Sequence, residues 1–252
     1  MGFLLGKDKL MKQPEQQGKK TVSLTKNPEL DHKLSLRKSI IDEKAKKASL
    51  NGTMARVVFS LDHSGSMTKM YKDGTVQALL ERIFPMAMYF DDNSELDFYW
   101  FDTVYKGFEP VVPDNLDGYV QKVILSCKDH FGQTFYAPVM KEITERYAKK
   151  DPAKIPTFVI FITDGANADH ADSKRALIEA SKYNIFWKFI GIGKDKFAFL
   201  EKLDEMDGRV VDNANFIAVN DLQSISDDQL YTLLLEEYSD WLNRCRQHGI
   251  PV

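Results

Sequence analysis

The run Val57-Val58-Phe59-Ser60-Leu61 has almost no polar face, and it stops abruptly at Asp62-His63-Ser64-Gly65-Ser66. A strand that is apolar on both sides is buried on both sides, the condition of a strand inside a sheet covered by helices on each face. Thr157-Phe158-Val159-Ile160-Phe161-Ile162-Thr163 repeats the pattern and also terminates in a carboxylate, Asp164, followed by Gly165. Ile185 to Ile192 reads as a third strand of this kind. Leu96 to Phe101 and Val104 to Val112 are aromatic-rich and flank a turn at Asp102-Thr103, so they read as an antiparallel pair. A weak strand is expected at Arg209 to Val211.

Helical spacing fills the gaps. Ser35 to Ala48, Thr75 to Phe90 (with a kink expected at Pro85), Asn115 to Leu125, Tyr136 to Lys149, Ser173 to Tyr183, Phe197 to Met206 and a C-terminal stretch from Asp227 to Gln247 all read as helices. Alternation of strands and helices predicts the α/β class: a doubly wound, mostly parallel sheet with one antiparallel edge strand, right-handed crossovers and helices on both faces.

At 252 residues and 43% hydrophobic, one such domain with a modest extension is expected. Residues 1–20 read as a flexible basic leader, 21–52 as an extension with a short strand (Val22-Ser23-Leu24) and a helix, and 53–247 as the domain. Residues 1–50 hold twelve Lys or Arg against six acids, so the net charge of -3 conceals +6 there and -9 in the remainder. The basic segment lacks arginine clusters interleaved with aromatics, which argues against a nucleic-acid partner. The apolar runs are too short for a transmembrane segment. Cys127 and Cys245 make neither a disulfide framework nor a cysteine metal site, and with no signal-peptide pattern at the start the expected location is cytoplasmic.

In a doubly wound fold the tips of neighbouring central strands meet, so Asp62 and Asp164 are expected to converge across about a hundred residues of sequence. Ser64 and Ser66 accompany Asp62, and Gly132-Gln133-Thr134 adds a loop hydroxyl ahead of a helix. Two carboxylates and three hydroxyls form an oxygen shell poor in charge, suited to a hard cation such as Mg²⁺ with room left for water or an incoming ligand. Each residue also has a plainer use: Asp62 or Thr134 as a helix N-cap, Asp164 as a turn residue.

Asp62-x-Ser64-x-Ser66, then Thr134, then Asp164 resembles the metal-ion-dependent adhesion site (MIDAS) of von Willebrand factor A domains, over about residues 54–245. The run from Met70 to Asp102 is similar to the bacterial tellurite-resistance and stress-associated members. The resemblance implies that Ser64 and Ser66 bind the metal directly, that Thr134 does so in the ligand-bound form, and that Asp62 and Asp164 act mainly through water. It implies Mg²⁺, with Mn²⁺ or Ca²⁺ as alternatives, and a protein partner whose Asp or Glu completes the coordination. Gln133 stands where the family usually has a second glycine, and His63 occupies a variable position.

Asp62-His63, Asp129-His130 and Asp169-His170 all fall in expected loops on the same sheet edge. No histidine pair has helical ligand spacing, so surface histidines on the rim are the expectation, not zinc ligands. Asp102 is expected to shape the turn into the edge strand. The leading functional reading is a divalent-metal-dependent protein-binding module of the bacterial stress type. The alternative is a Mg²⁺-dependent phosphatase or phosphotransferase with Asp62 as nucleophile, although such sites place a second Asp where this chain has Ser64.

Overall fold

The computed structural model describes residues 24–127, 129, 131–221 and 224–252. Among these residues six strands form one sheet: β1 (Arg56–Asp62), β2 (Leu96–Phe101), β3 (Tyr105–Gly107), β4 (Thr157–Thr163), β5 (Ile185–Ile192) and β6 (Ala214–Val219), in the order β3-β2-β1-β4-β5-β6. All pairings are parallel except β2 with β3. The chain builds outward from β1 to one side and from β4 to the other, so the strand order reverses between them. That reversal opens a crevice at the carboxyl ends of β1 and β4.

Period-two alternation divides the core. Val57, Phe59 and Leu61 of β1 and Phe158, Ile160 and Ile162 of β4 pack with α1 (Pro28–Lys47), α3 (Thr75–Phe90), α8 (Asp227–Leu235) and α9 (Tyr238–Gln247). Val58, Val159 and Phe161 face the other way, onto α5 (Ala137–Thr144), α6 (His170–Ala180) and α7 (Ala198–Asp204). The α1 helix lies within the first layer, where its Leu34, Ile41 and Ala45 are fully buried. Arg37 of α1 and Arg82 of α3 both reach Asp227 of α8, at 2.9 and 2.6 Å, and staple these three helices together.

Several elements differ from their sequence reading. The first helix starts at Pro28 because Asn27 caps it, accepting from Glu29 N and Leu30 N. Of the short strand expected there, Val22 and Ser23 lie outside the described residues and Leu24 sits in a bend. The helix expected from Asn115 is interrupted at Gly118, which has φ +71°, leaving the short α4 (Pro113–Leu116) and a wider turn over Val120–Ile124. Arg209 to Val211 is irregular, and the last strand is instead β6, whose Asn215 disguised it. The C-terminal helix breaks at Glu237, φ +65°, where the buried Lys188 amine of β5 takes the Glu236 carbonyl at 3.0 Å. No helix among the described residues is long and apolar enough to cross a membrane.

Candidate metal centre

The carboxyl end of β1 carries Asp62 to the crevice, fully buried. Its Oδ1 accepts the Ser64 backbone N–H at 2.7 Å, which folds the chain back at once, and its Oδ2 accepts the Thr163 hydroxyl at 2.6 Å. A single tight turn over Gly65–Met67 then presents Ser66 beside Ser64, with their Oγ atoms 3.0 Å apart. Ser66 Oγ donates to Asp164 Oδ1 at 2.8 Å, closing a chain of oxygens from one strand tip to the next.

The loop bearing Thr134 is pinned through its backbone. Gly132 pairs with Ser64 as an isolated parallel bridge: Gly65 N donates to Gly132 O at 3.1 Å and Gly132 N to His63 O at 3.3 Å. Thr134 O accepts from Ala168 N at 2.9 Å, tying this loop to the one after β4. Thr134 is not the cap of α5, because Asp169 performs that service by accepting from Tyr136 N and Ala137 N at 3.0 and 2.8 Å. The hydrogen-bonded chain thus unites Asp62, Ser64, Ser66 and Asp164, and the backbone ladder holds Thr134 in the adjoining loop.

Burial pushes the Asp62 carboxyl up to about 6, even though the Thr163 and Ser64 hydrogen bonds oppose the rise. Asp164 is raised as well, again chiefly by burial. In both groups burial makes the charged form less favourable than in a free carboxyl. The donor spacing suits a small hard ion. Adjacent ligands of an octahedron with metal–oxygen distances near 2.1 Å lie about 3.0 Å apart. The Ser64–Ser66 oxygen separation, 3.0 Å, falls at this spacing, and the 2.8 Å hydrogen bond from Ser66 holds the Asp164 carboxylate beside the pair.

Three supporting groups went unmarked in the sequence, and a fourth, His63, was misplaced. Thr163 holds Asp62 Oδ2, and Tyr136 braces Thr163 and Gly165 O. Tyr71 donates to the Asp62 carbonyl at 3.1 Å. His63, expected on the surface, is 2% exposed and bonds Asp102, itself buried. The stacking of its ring on Trp100 and Phe131 makes burial favourable, which corrects the rim assignment. Asp102 does shape its turn, Oδ1 accepting from Val104 N at 2.9 Å. His170 is exposed and stacks on Phe199, and His130 lies outside the described residues. Among the described residues no group of three or more His, Cys, Asp or Glu gathers as a metal cluster.

A doubly wound sheet with this strand-tip arrangement defines the von Willebrand factor A class of folds. The model of a family described as the vWA found in the TerF C terminus matches residues 54–251, and the chain belongs to this TerF-like vWA family. It is 40% identical over 220 residues to YcbR of Bacillus subtilis (strain 168), covering 86% of this chain and 89% of that protein. Among solved structures, proximal thread matrix protein 1 of the mussel byssus superposes with a TM-score of 0.56 at 16% identity, over 73% of this chain and 48% of its own. The chain thus spans about half the length of that protein. A second structure of the mussel protein, with TM-score 0.53 and 16% identity over 75% of this chain and 48% of that one, has zinc in its MIDAS motif. BatB of Bacteroides thetaiotaomicron gives 0.50 at 14% identity, over 75% and 99%. These likenesses establish the fold. Domains of the von Willebrand A family are metal-dependent protein-interaction modules.

Proposed function

We propose that the crevice between β1 and β4 holds one divalent cation, and that the protein uses it to capture a carboxylate of a partner protein. In this reading Ser64 and Ser66 are direct ligands, Thr134 joins them when the partner is bound, and Asp62 and Asp164 act mainly through water. The observation that carries it is the convergence of the Ser64 and Ser66 hydroxyls and the Asp164 carboxylate in one hydrogen-bonded chain across the crevice. The donors are all hard oxygens with only two carboxylates, which favours Mg²⁺, then Mn²⁺ or Ca²⁺, over zinc. When bound, a cation so lightly neutralised supplies attraction for an anion. Asp62 is poorly suited to nucleophilic attack, being fully buried with both oxygens engaged by Ser64 and Thr163.

Membership of the TerF-like family supports a role among bacterial stress proteins of the tellurite-resistance type. A cytoplasmic location is consistent with Cys127 and Cys245 both being free thiols. A pull-down with wild type and Asp62→Ala tests the function. A partner retained in Mg²⁺ and lost with chelator and in the variant supports it; a partner whose affinity ignores both refutes it.

A further inference from the structure

His63 contributes no side-chain atom to the oxygen chain, yet it is among the most enclosed side chains around it. Its ring lies between Trp100 of β2 and Phe131 of the loop leading to Thr134, at centroid distances of 4.5 and 4.0 Å and interplanar angles of 21° and 17°. Tyr71 closes a further side edge-on at 5.2 Å, and also meets Phe131 at 5.5 Å. His63 Nδ1 faces Asp102 Oδ2 at 3.3 Å. Asp102 in turn grips the same loop: its carbonyl accepts from Phe135 N at 3.1 Å, and a Cβ on Gly132 would come within 2.8 Å of Asp102 Cγ. Beside it Thr103 Oγ1 accepts from Gln133 N at 3.1 Å.

We propose that His63 is a positioning residue: its ring, seated on Asp102 and stacked on Phe131, clamps the Gly132-Gln133-Thr134 segment against the tip of β1. The residue needed there must be flat enough to stack between two aromatic rings and must also offer a hydrogen to a buried carboxylate. Imidazole does both. A hydroxyl supplied by a loose loop must be ordered each time it is used, and the clamp removes that cost in advance. Its consequence for Thr134 rests on the metal reading above, and the clamp itself does not.

Hydrogen exchange on the metal-free protein tests the clamp. In His63→Ala and in Phe131→Ala, the amides of Gln133 and Phe135 should exchange about tenfold faster or more, while those of Phe158 to Ile162 in β4 stay protected. Phe131→Tyr, which keeps the ring, should restore slow exchange. Phe131 is a half-buried loop residue, so its truncation should leave the fold intact and keep the test decisive. Unchanged loop exchange in Phe131→Ala overturns the proposal, as does equal acceleration in β4, which would make the ring merely structural. Titration of the same variants with Mn²⁺ in the presence of acetate, a carboxylate standing in for the partner's, should show by electron paramagnetic resonance an affinity about tenfold lower or more, the usual worth of groups that orient ligands. Wild-type affinity in both alanine variants overturns the consequence for Thr134, while the exchange rates decide the clamp. A wild type without Mn²⁺ affinity overturns the metal reading instead, and the exchange rates then decide the clamp alone.

Discussion

Replacing Asp62 by asparagine should stabilise the metal-free fold at pH 8. In the folded chain burial lifts the Asp62 carboxyl from 3.8 to about 6. Below pH 3.8 it is protonated in both folded and unfolded chains and costs nothing. Between 3.8 and 6 the unfolded chain releases the proton first, so stability falls as pH rises, and above 6 the full penalty of ~3 kcal/mol applies. Asparagine escapes this penalty with little rearrangement. Its Oδ1 still accepts from Ser64 N, its amide can donate to Thr163 Oγ1, and the Thr163 hydroxyl can turn to Gly165 O, 3.3 Å away. Rearranged hydrogen bonds take back about 1 kcal/mol, leaving a net gain of ~2 kcal/mol.

Urea unfolding in chelator at pH 4 to 8 measures the gain. Asp91 and Asp204 are also raised to about 6 by burial, so wild type alone would not isolate Asp62. The difference between wild type and Asp62→Asn cancels them. It should open between pH 4 and 6 and stay level above. A variant less stable than wild type at pH 8, or a difference independent of pH, refutes the reasoning. With Mg²⁺ at a hundred times its dissociation constant the order should move back by about 2.7 kcal/mol, because only wild type gains from binding.

Further outcomes follow from the same geometry. Gly132→Ala drives a Cβ to 2.8 Å from Asp102 Cγ and 2.9 Å from Thr103 Oγ1, so denaturant unfolding should show a loss of about 1–3 kcal/mol together with weakened metal binding. Leu34→Ala, at a fully buried position on α1, should cost about 2–5 kcal/mol by thermal or urea unfolding, and a loss under 1 would mean that α1 packs loosely. Burial lowers the Lys188 amine from 10.5 to about 7. From pH 7 to 10 the unfolded chain keeps that proton and the folded chain loses it, so wild type should gain stability relative to Lys188→Met across this range. A difference flat with pH would show that the amine does not titrate there.

The sheet and the oxygen cluster were legible because their signals are short-range. Strand β4 coincides with an apolar run and β5 with one broken only by Lys188, and Asp62 and Asp164 each stand where an apolar run ends. Ser64, Ser66 and Asp164 then meet because parallel strands β1 and β4 are neighbours at the point where the doubly wound strand order reverses. What escaped the sequence reading depends on partners distant in the chain. Asn215 makes β6 look like a loop, but it is buried and takes the Lys188 amine of β5. The C-terminal helix has continuous helical spacing, and its break at Glu237 is sustained by that same lysine. Asp169 displaced Thr134 as the cap of α5 across a gap of more than thirty residues. His63 resembled a polar loop residue until Trp100, Phe131 and Asp102 closed around it.

Anomalous scattering from Mn²⁺-soaked crystals tests most directly whether Asp62, Ser64, Ser66, Thr134 and Asp164 form one cation site. A single strong peak in the crevice, bounded by Ser64 Oγ, Ser66 Oγ and the Asp164 carboxylate and absent from Asp62→Ala crystals, is the predicted result. No peak there, or one that persists unchanged without Asp62, would contradict it.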